Sequence, residues 1–159
     1  MLKLIDIKTK INFQLFLFGL FKVPMIFYCR PRLVSISEKS IEIKIKLKRR
    51  TKNHLNSMYF GALSVGADVT GGFLAMQSIR ASGFNIALIF KDFHADFIKR
   101  AEGDVHFICN EAKAIRELVD NTEKSLEREN LLVTIFAKVP SISDDIVAKF
   151  QLTLSLKKR

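Results

Sequence analysis

Tryptophan is absent from this chain, and tyrosine and cysteine occur twice each, while phenylalanine occurs 14 times. Aromatic content carried by phenylalanine suits a packed core or an apolar ligand pocket better than a platform on which nucleic-acid bases stack. Cys29 and Cys109 show no paired-ligand spacing, which argues against a disulfide framework or a zinc site and makes a reducing, cytoplasmic compartment the default. There is no Gly-rich phosphate loop, no metal-ligand cluster and no Ser-His-Asp order. His54, His94 and His106 are isolated and read as surface or strand histidines, and Cys109, between Ile108 and Asn110, reads as a strand residue rather than a nucleophile. Acids are also in short supply. Against 26 Lys and Arg stand 16 Asp and Glu, a formal charge of +10, which favours anionic partners such as nucleic acid, acidic lipid or a phosphorylated cofactor without choosing among them.

No apolar run is long enough to span a bilayer. The stretch from Ile11 to Cys29 is interrupted by Lys22 and Pro24, and the part before Lys22 falls short of the roughly 20 residues a span needs. It ends in Tyr28-Cys29-Arg30-Pro31, without the small-residue pattern of a signal-peptide cleavage site. Residues 1–30 are therefore expected to be an N-terminal helical segment, with a helix over about Thr9 to Phe21 packing on the sheet. Peripheral contact with a membrane surface is the competing reading.

From Arg32 the hydrophobic period changes to two. RLVSIS reads as a short strand, and SIEIKIKLKRR places Ile41, Ile43, Ile45 and Leu47 on one face and Glu42, Lys44, Lys46 and Lys48 on the other, the pattern of a half-exposed antiparallel strand. Its lysine face, with Arg49, Arg50 and Lys52, is either a solvated sheet face or a phosphate-attracting rim. Further on, FNIALIF suits a central strand covered on both faces. Phe93, Ala95 and Phe97 alternate after a bend at Lys91-Asp92, and DVHFIC is another strand. Residues 110–130 read as a charged amphipathic helix capped by Asn110. LLVTIFAKV and DIVAKFQLTLSLKKR close the chain as strands, the last with Phe150, Leu152, Leu154 and Leu156 on one face.

Lys52 to Gly72 organises the rest. Asn53, His54, Asn56 and Ser57 are turn and cap residues, with Asn56 or Ser57 expected to cap a helix starting near Met58. From Met58 to about Arg80 the sequence is apolar on every face, so that helix must be buried. Its glycines cost helix propensity, about 1 kcal/mol each, and so imply close approach of a backbone, side chain or ligand. Asp68 is the one ionisable group inside the segment, and burial there forces it to find partners or to shift its pKa upward. A long apolar helix followed by successive antiparallel strands makes an α+β domain, a curved antiparallel sheet wrapped around a central helix. An exposed sheet edge on such a domain would pair with a second copy, so a homodimer is expected, with a dimer of dimers as a further possibility.

The order Asn53, then Tyr59-Phe60-Gly61, then Ala67-Asp68 resembles the PaaI-like hotdog-fold acyl-CoA thioesterases. Their signature is an Asn, a His-Gly-Gly six residues on at the start of the hotdog helix, and an Asp nine residues after the His; the spacings agree here. With the preceding KVPMIFYCRPRLVSIS, the segment RRTKNHLNSMYFGALSVGAD is similar to the hotdog branch catalogued as a domain of unknown function. The resemblance implies a hotdog domain over residues 31–159 and a hydrolytic site built across a dimer interface. In it Asp68 would be general base or nucleophile, Asn53 its orienting partner, and the backbone N–H groups of Phe60 and Gly61 the oxyanion donors. Tyr59, Asn56 and Ser57 would contact substrate. The substrate would be an acyl or aryl-acyl thioester of coenzyme A or an acyl carrier protein, with no separate cofactor, no metal and no nucleic acid.

The family's His is Tyr59 here and its first Gly is Phe60. These two residues favour a second reading, a non-catalytic acyl-CoA or fatty-acyl binding protein. A third is a basic protein of anionic surfaces, membrane or nucleic acid. Read singly, Asn53 is also an ordinary turn residue, Gly61 a close-packing glycine, Asp68 a buried acid and Tyr59 a packing residue; their joint spacing carries the inference.

Overall fold

The computed structural model describes residues 2–125 and 127–159, with side chains from residue 7 onward. Leu126, inside the stretch read as a charged helix, lies outside the described residues. The chain opens with two helices, α1 (Leu2–Phe21) and α2 (Pro24–Cys29). The first is longer than the expected Thr9 to Phe21, and the second was not expected. Pro24 occupies the first turn of α2, where its fixed φ is pre-organised and its missing N–H costs nothing. Arg30 then ends α2 in the left-handed region at φ 51°, its N–H returning to the Ile26 carbonyl at 3.0 Å.

Strands β1 (Arg32–Ile36) and β2 (Ile41–Ile45) form a hairpin. As the alternation requires, Ile41, Ile43 and Ile45 are fully buried. β2 stops well before Arg50, because the Leu47 N–H donates to Asp104 Oδ1 (3.0 Å) and the Thr51 hydroxyl donates to the Lys46 carbonyl (2.7 Å), drawing the backbone into a loop.

The long helix α3 spans Phe60–Ser82 and ends at Gly83, whose φ of 73° suits a residue without Cβ. It starts two residues later than expected and neither Asn56 nor Ser57 caps it. The Met58 N–H is held by the Ala101 carbonyl and the Tyr59 N–H by the Thr51 carbonyl, both at 2.8 Å. Tyr59 becomes the N-cap without a side-chain hydrogen bond. The remaining elements are β3 (Ile86–Phe97), β4 (Val105–Cys109), α4 (Ala112–Lys124), β5 (Glu129–Val139) and β6 (Ser143–Lys158). Asn110 does not cap α4: Glu111 is its N-cap, and the Ala112 N–H is taken by the Lys39 carbonyl at 3.2 Å.

The six strands form one antiparallel sheet in the order β1-β2-β4-β5-β6-β3. α3 packs against β2, β3, β4, β5 and β6. Neighbouring strands lie about 4.8 Å apart and a helix is about 10 Å across, so a flat sheet could not reach the helix with five strands; it must curl around it. Phe150, Leu152, Leu154 and Leu156 of β6 all point into this concave core and are fully buried.

One expectation fails instructively. FNIALIF belongs to β3, which is an edge strand rather than a central one; most of β3 is exposed, including Ile89, Phe90, Phe93 and Phe97. A continuous apolar run states that both faces avoid water, and here nothing among the described residues covers one of them. The bend at Lys91-Asp92 is present as a bulge between Phe90 and Phe93.

Candidate functional site

α3 and the β3 edge create the chemistry between them. Phe60, Ser64, Asp68 and Gly72 are spaced by four along α3 and so share one face. Ser64, Val65 and Asp68 line an apolar cavity of about 320 Å³ with Phe90, Phe93 and Leu152. On the other side of Asp68 lies a second cavity of about 270 Å³, walled by Val69, Gly72 and Phe73 of α3, Leu88 and Phe90 of β3, and Leu15, Phe18, Val23 and Ile26 from the N-terminal helices. Gly72 makes room for the Phe90 ring: a Cβ there would come within 2.8 Å of its Cζ.

Asp68 is half-buried, and among the described residues nothing gives its carboxylate a hydrogen bond or an ion pair. Burial alone pushes its pKa from 3.8 up to about 6, because an apolar environment disfavours the charged form. Such an acid is ionised at neutral pH yet basic enough to take a proton.

The loop before α3 makes a separate cavity of about 530 Å³, lined by Asn53, Ser57, Tyr59 and Phe60 together with His54, Lys99 and Arg100. Asn53 Oδ1 accepts from the backbone N–H groups of Leu55 (2.9 Å) and Ser57 (3.2 Å) and from the Ser57 hydroxyl (3.3 Å). Asn56 sits at φ 61° and its Oδ1 accepts from Lys52 Nζ at 2.8 Å. Tyr59 and Phe60 are 46% and 58% exposed, their ring centroids 4.7 Å apart. Phe60 leads through Phe97 to the buried Phe150 at centroid distances of 6.4 and 6.0 Å. The amides of Phe60 and Gly61 open α3 with no side-chain cap, and so are helix-terminal donors at the positive end of its dipole.

The two groups of residues are separate within one chain. Phe60 and Asp68 are eight residues apart, about 12 Å along a helix axis, and Asn53 and Asp68 line different cavities. Ser64, Phe90 and the N-terminal wall of the inner cavity were missed in the sequence. Ser64 was visible as the residue one turn before Asp68; the others needed the fold. Cys109 is buried with its thiol pushed up to about 12, chiefly by desolvation, which makes it inert as a nucleophile. Among the described residues no three His, Cys, Asp or Glu side chains cluster as a metal site.

One long helix gripped by a six-stranded antiparallel sheet that curls around it is the α+β hotdog fold, shared with solved structures described as thioesterases. The chain belongs to the family described as Domain of unknown function (DUF4442), whose profile matches residues 13–156. No curated protein matches the sequence. Solved structures share the fold at low identity. A Pseudomonas aeruginosa protein described as a probable thioesterase has 20% identity and a TM-score of 0.76, with 95% of this chain and 96% of that one covered. A Haemophilus influenzae thioesterase has 14% identity and a TM-score of 0.66, covering 89% and 88%. Zebra fish thioesterase superfamily member 2 has 10% identity and a TM-score of 0.67, covering 93% and 96%.

Proposed function

We propose that this protein hydrolyses an acyl thioester, with Asp68 as the general base. The observation that carries the reading is an acid without a hydrogen-bond partner among the described residues, shifted to about pKa 6, in the wall between two apolar cavities. In the proposed reaction Asp68 takes a proton from water as the water oxygen attacks the thioester carbonyl. The resulting oxyanion is held by the Phe60 and Gly61 N–H groups, and collapse expels the thiolate, which recovers the proton. Because these amides lie about 12 Å from Asp68 along the helix, they would come from a second copy. The exposed β3 edge, with its uncovered Ile89, Phe93 and Phe97, is the surface expected to pair in such a homodimer.

The inner cavity suits a linear acyl tail. At about 30 Å³ per water-sized group, its volume of about 270 Å³ corresponds to a tail of eight to ten carbons. The outer cavity, with His54, Lys99 and Arg100 in its walls, suits a phosphate-bearing carrier, coenzyme A or a carrier protein. A specific feature favours a second reading, non-hydrolytic acyl-CoA binding: the exposed Tyr59 and Phe60 rings stand at the helix start beside the proposed donors.

Thiol release from acyl-CoAs of increasing length, by the native protein and by Asp68→Asn, tests both. Turnover that falls by about 100-fold or more in Asp68→Asn supports hydrolysis, since loss of a general base costs 10²- to 10⁴-fold. Absence of turnover together with a rise in melting temperature on adding acyl-CoA would establish the binding protein instead.

A further inference from the structure

The N-terminal helices carry a surface that the proposed reaction does not use. Over the part of α1 whose side chains are described, Leu15 packs into the core, whereas Phe13, Phe16 and Leu20 line the opposite face and stay exposed. Phe21, Met25 and Tyr28 continue this patch across the turn into α2, and Phe21 is 74% exposed. An exposed apolar patch of this extent marks an interaction site.

Along the same stretch of chain, between Asp6 and Glu38, the charges are of one sign. From Ile7 to Ser37 the sequence contains Lys8, Lys10, Lys22, Arg30 and Arg32 and not one Asp or Glu. None of the five cations forms an ion pair with an acid among the described residues. Arg30 and Arg32 line an open groove of about 410 Å³ between the two helices, whose other walls include Phe13, Phe16 and Phe27. No helix of the described residues is long and apolar enough to cross a membrane.

We propose that this face docks the protein on an anionic phospholipid bilayer, with the aromatic side chains entering the headgroup and upper acyl region and Lys10, Arg30 and Arg32 meeting lipid phosphates. Charge decides against a second copy as the occupant. A two-fold contact sets a patch against itself, which would bring Arg30 and Arg32 beside the groove against the same cations of the other copy. Anionic headgroups complement the same arrangement.

The test is co-sedimentation of the full-length protein with vesicles of phosphatidylcholine alone and of an equal mixture of phosphatidylcholine and phosphatidylglycerol, at low and high salt. The expected result is binding to the mixed vesicles that weakens with salt and is lost at least tenfold in Phe13→Ser/Phe21→Ser. In Arg30→Ser/Arg32→Ser it should fall roughly fivefold per cation removed. Melting temperature and sedimentation velocity of the variants, measured without lipid, should match the native protein. Failure to bind the mixed vesicles, or equal binding to phosphatidylcholine alone, overturns the proposal. So does a change of oligomeric state in Phe13→Ser/Phe21→Ser, which would make the patch a contact between copies.

Discussion

Asp68 of α3 and Phe90 of the β3 edge both line each of the two apolar cavities on that side of the molecule. The carboxylate therefore looks into both spaces, and the ring, seated over Gly72, stands between them. A thioester whose carbonyl lies beside Asp68 would send its acyl tail past Phe90 into the inner space.

Phe90→Ala should join the two cavities. Under the hydrolase reading, the preferred acyl chain then lengthens by at least two carbons, while Phe90→Trp shortens it. The measurement is kcat/KM over a series of straight-chain acyl-CoAs; identical profiles in all three proteins would remove Phe90 from the acyl path.

A general base must be unprotonated. With the Asp68 pKa at about 6, kcat/KM is expected to fall about tenfold per pH unit below that value and to be flat between about pH 7 and 8. A limb centred near the ordinary carboxylate value of about 4 would show that the acid in the reaction is a different one.

The same shift predicts a dependence of stability on pH. Between about pH 4 and 6 the folded protein retains a proton on Asp68 that the unfolded chain has released, so this residue's contribution to stability is intact below pH 4 and is lost as pH rises to about 6. Asp68→Asn removes that dependence. It should stabilise the fold by on the order of 2 kcal/mol at pH 7.5 and by little at pH 4, read from urea denaturation at both pH values. A uniform loss of stability would show that the carboxylate makes structural contacts.

Gly66 is required by packing. A Cβ at this position would collide with the fully buried ring of Phe107 on β4. Alanine is better than glycine in a helix interior by about 1 kcal/mol, but overpacking a rigid core costs about 1–3 kcal/mol, so Gly66→Ala should be net destabilising. Phe107→Leu in the same chain should recover part of the loss, giving a favourable coupling energy in a double-mutant cycle. Additive effects would refute the contact.

Much of this was legible in the residues. The alternation of Ile41, Ile43 and Ile45 and of Phe150 to Leu156 predicts the buried strand faces, because one-sided burial leaves a period of two in any sequence. The unbroken apolarity from Met58 to Arg80 predicts a helix enclosed by sheet, and a lone acid within it must find partners or shift its pKa upward; the structure shows the second for Asp68. Helix starts were less legible. Asn56, Ser57 and Asn110 have the chemistry of caps, but the Ala101, Thr51 and Lys39 carbonyls claim the nearby N–H groups, and those residues are distant in sequence.

Composition and periodicity by themselves determined the α+β class, the buried central helix, the strand faces and the position of its one acid, since each depends on neighbours along the chain. Tertiary structure decided which strand forms the edge, that Asn53 and Asp68 line different cavities, that Phe90 and Gly72 shape the space beside the acid, and that half of the apolar N-terminal run remains uncovered. Those features depend on which surfaces meet across the curled sheet, and a run such as FNIALIF reads the same whether its apolar faces meet the protein's own core or a partner.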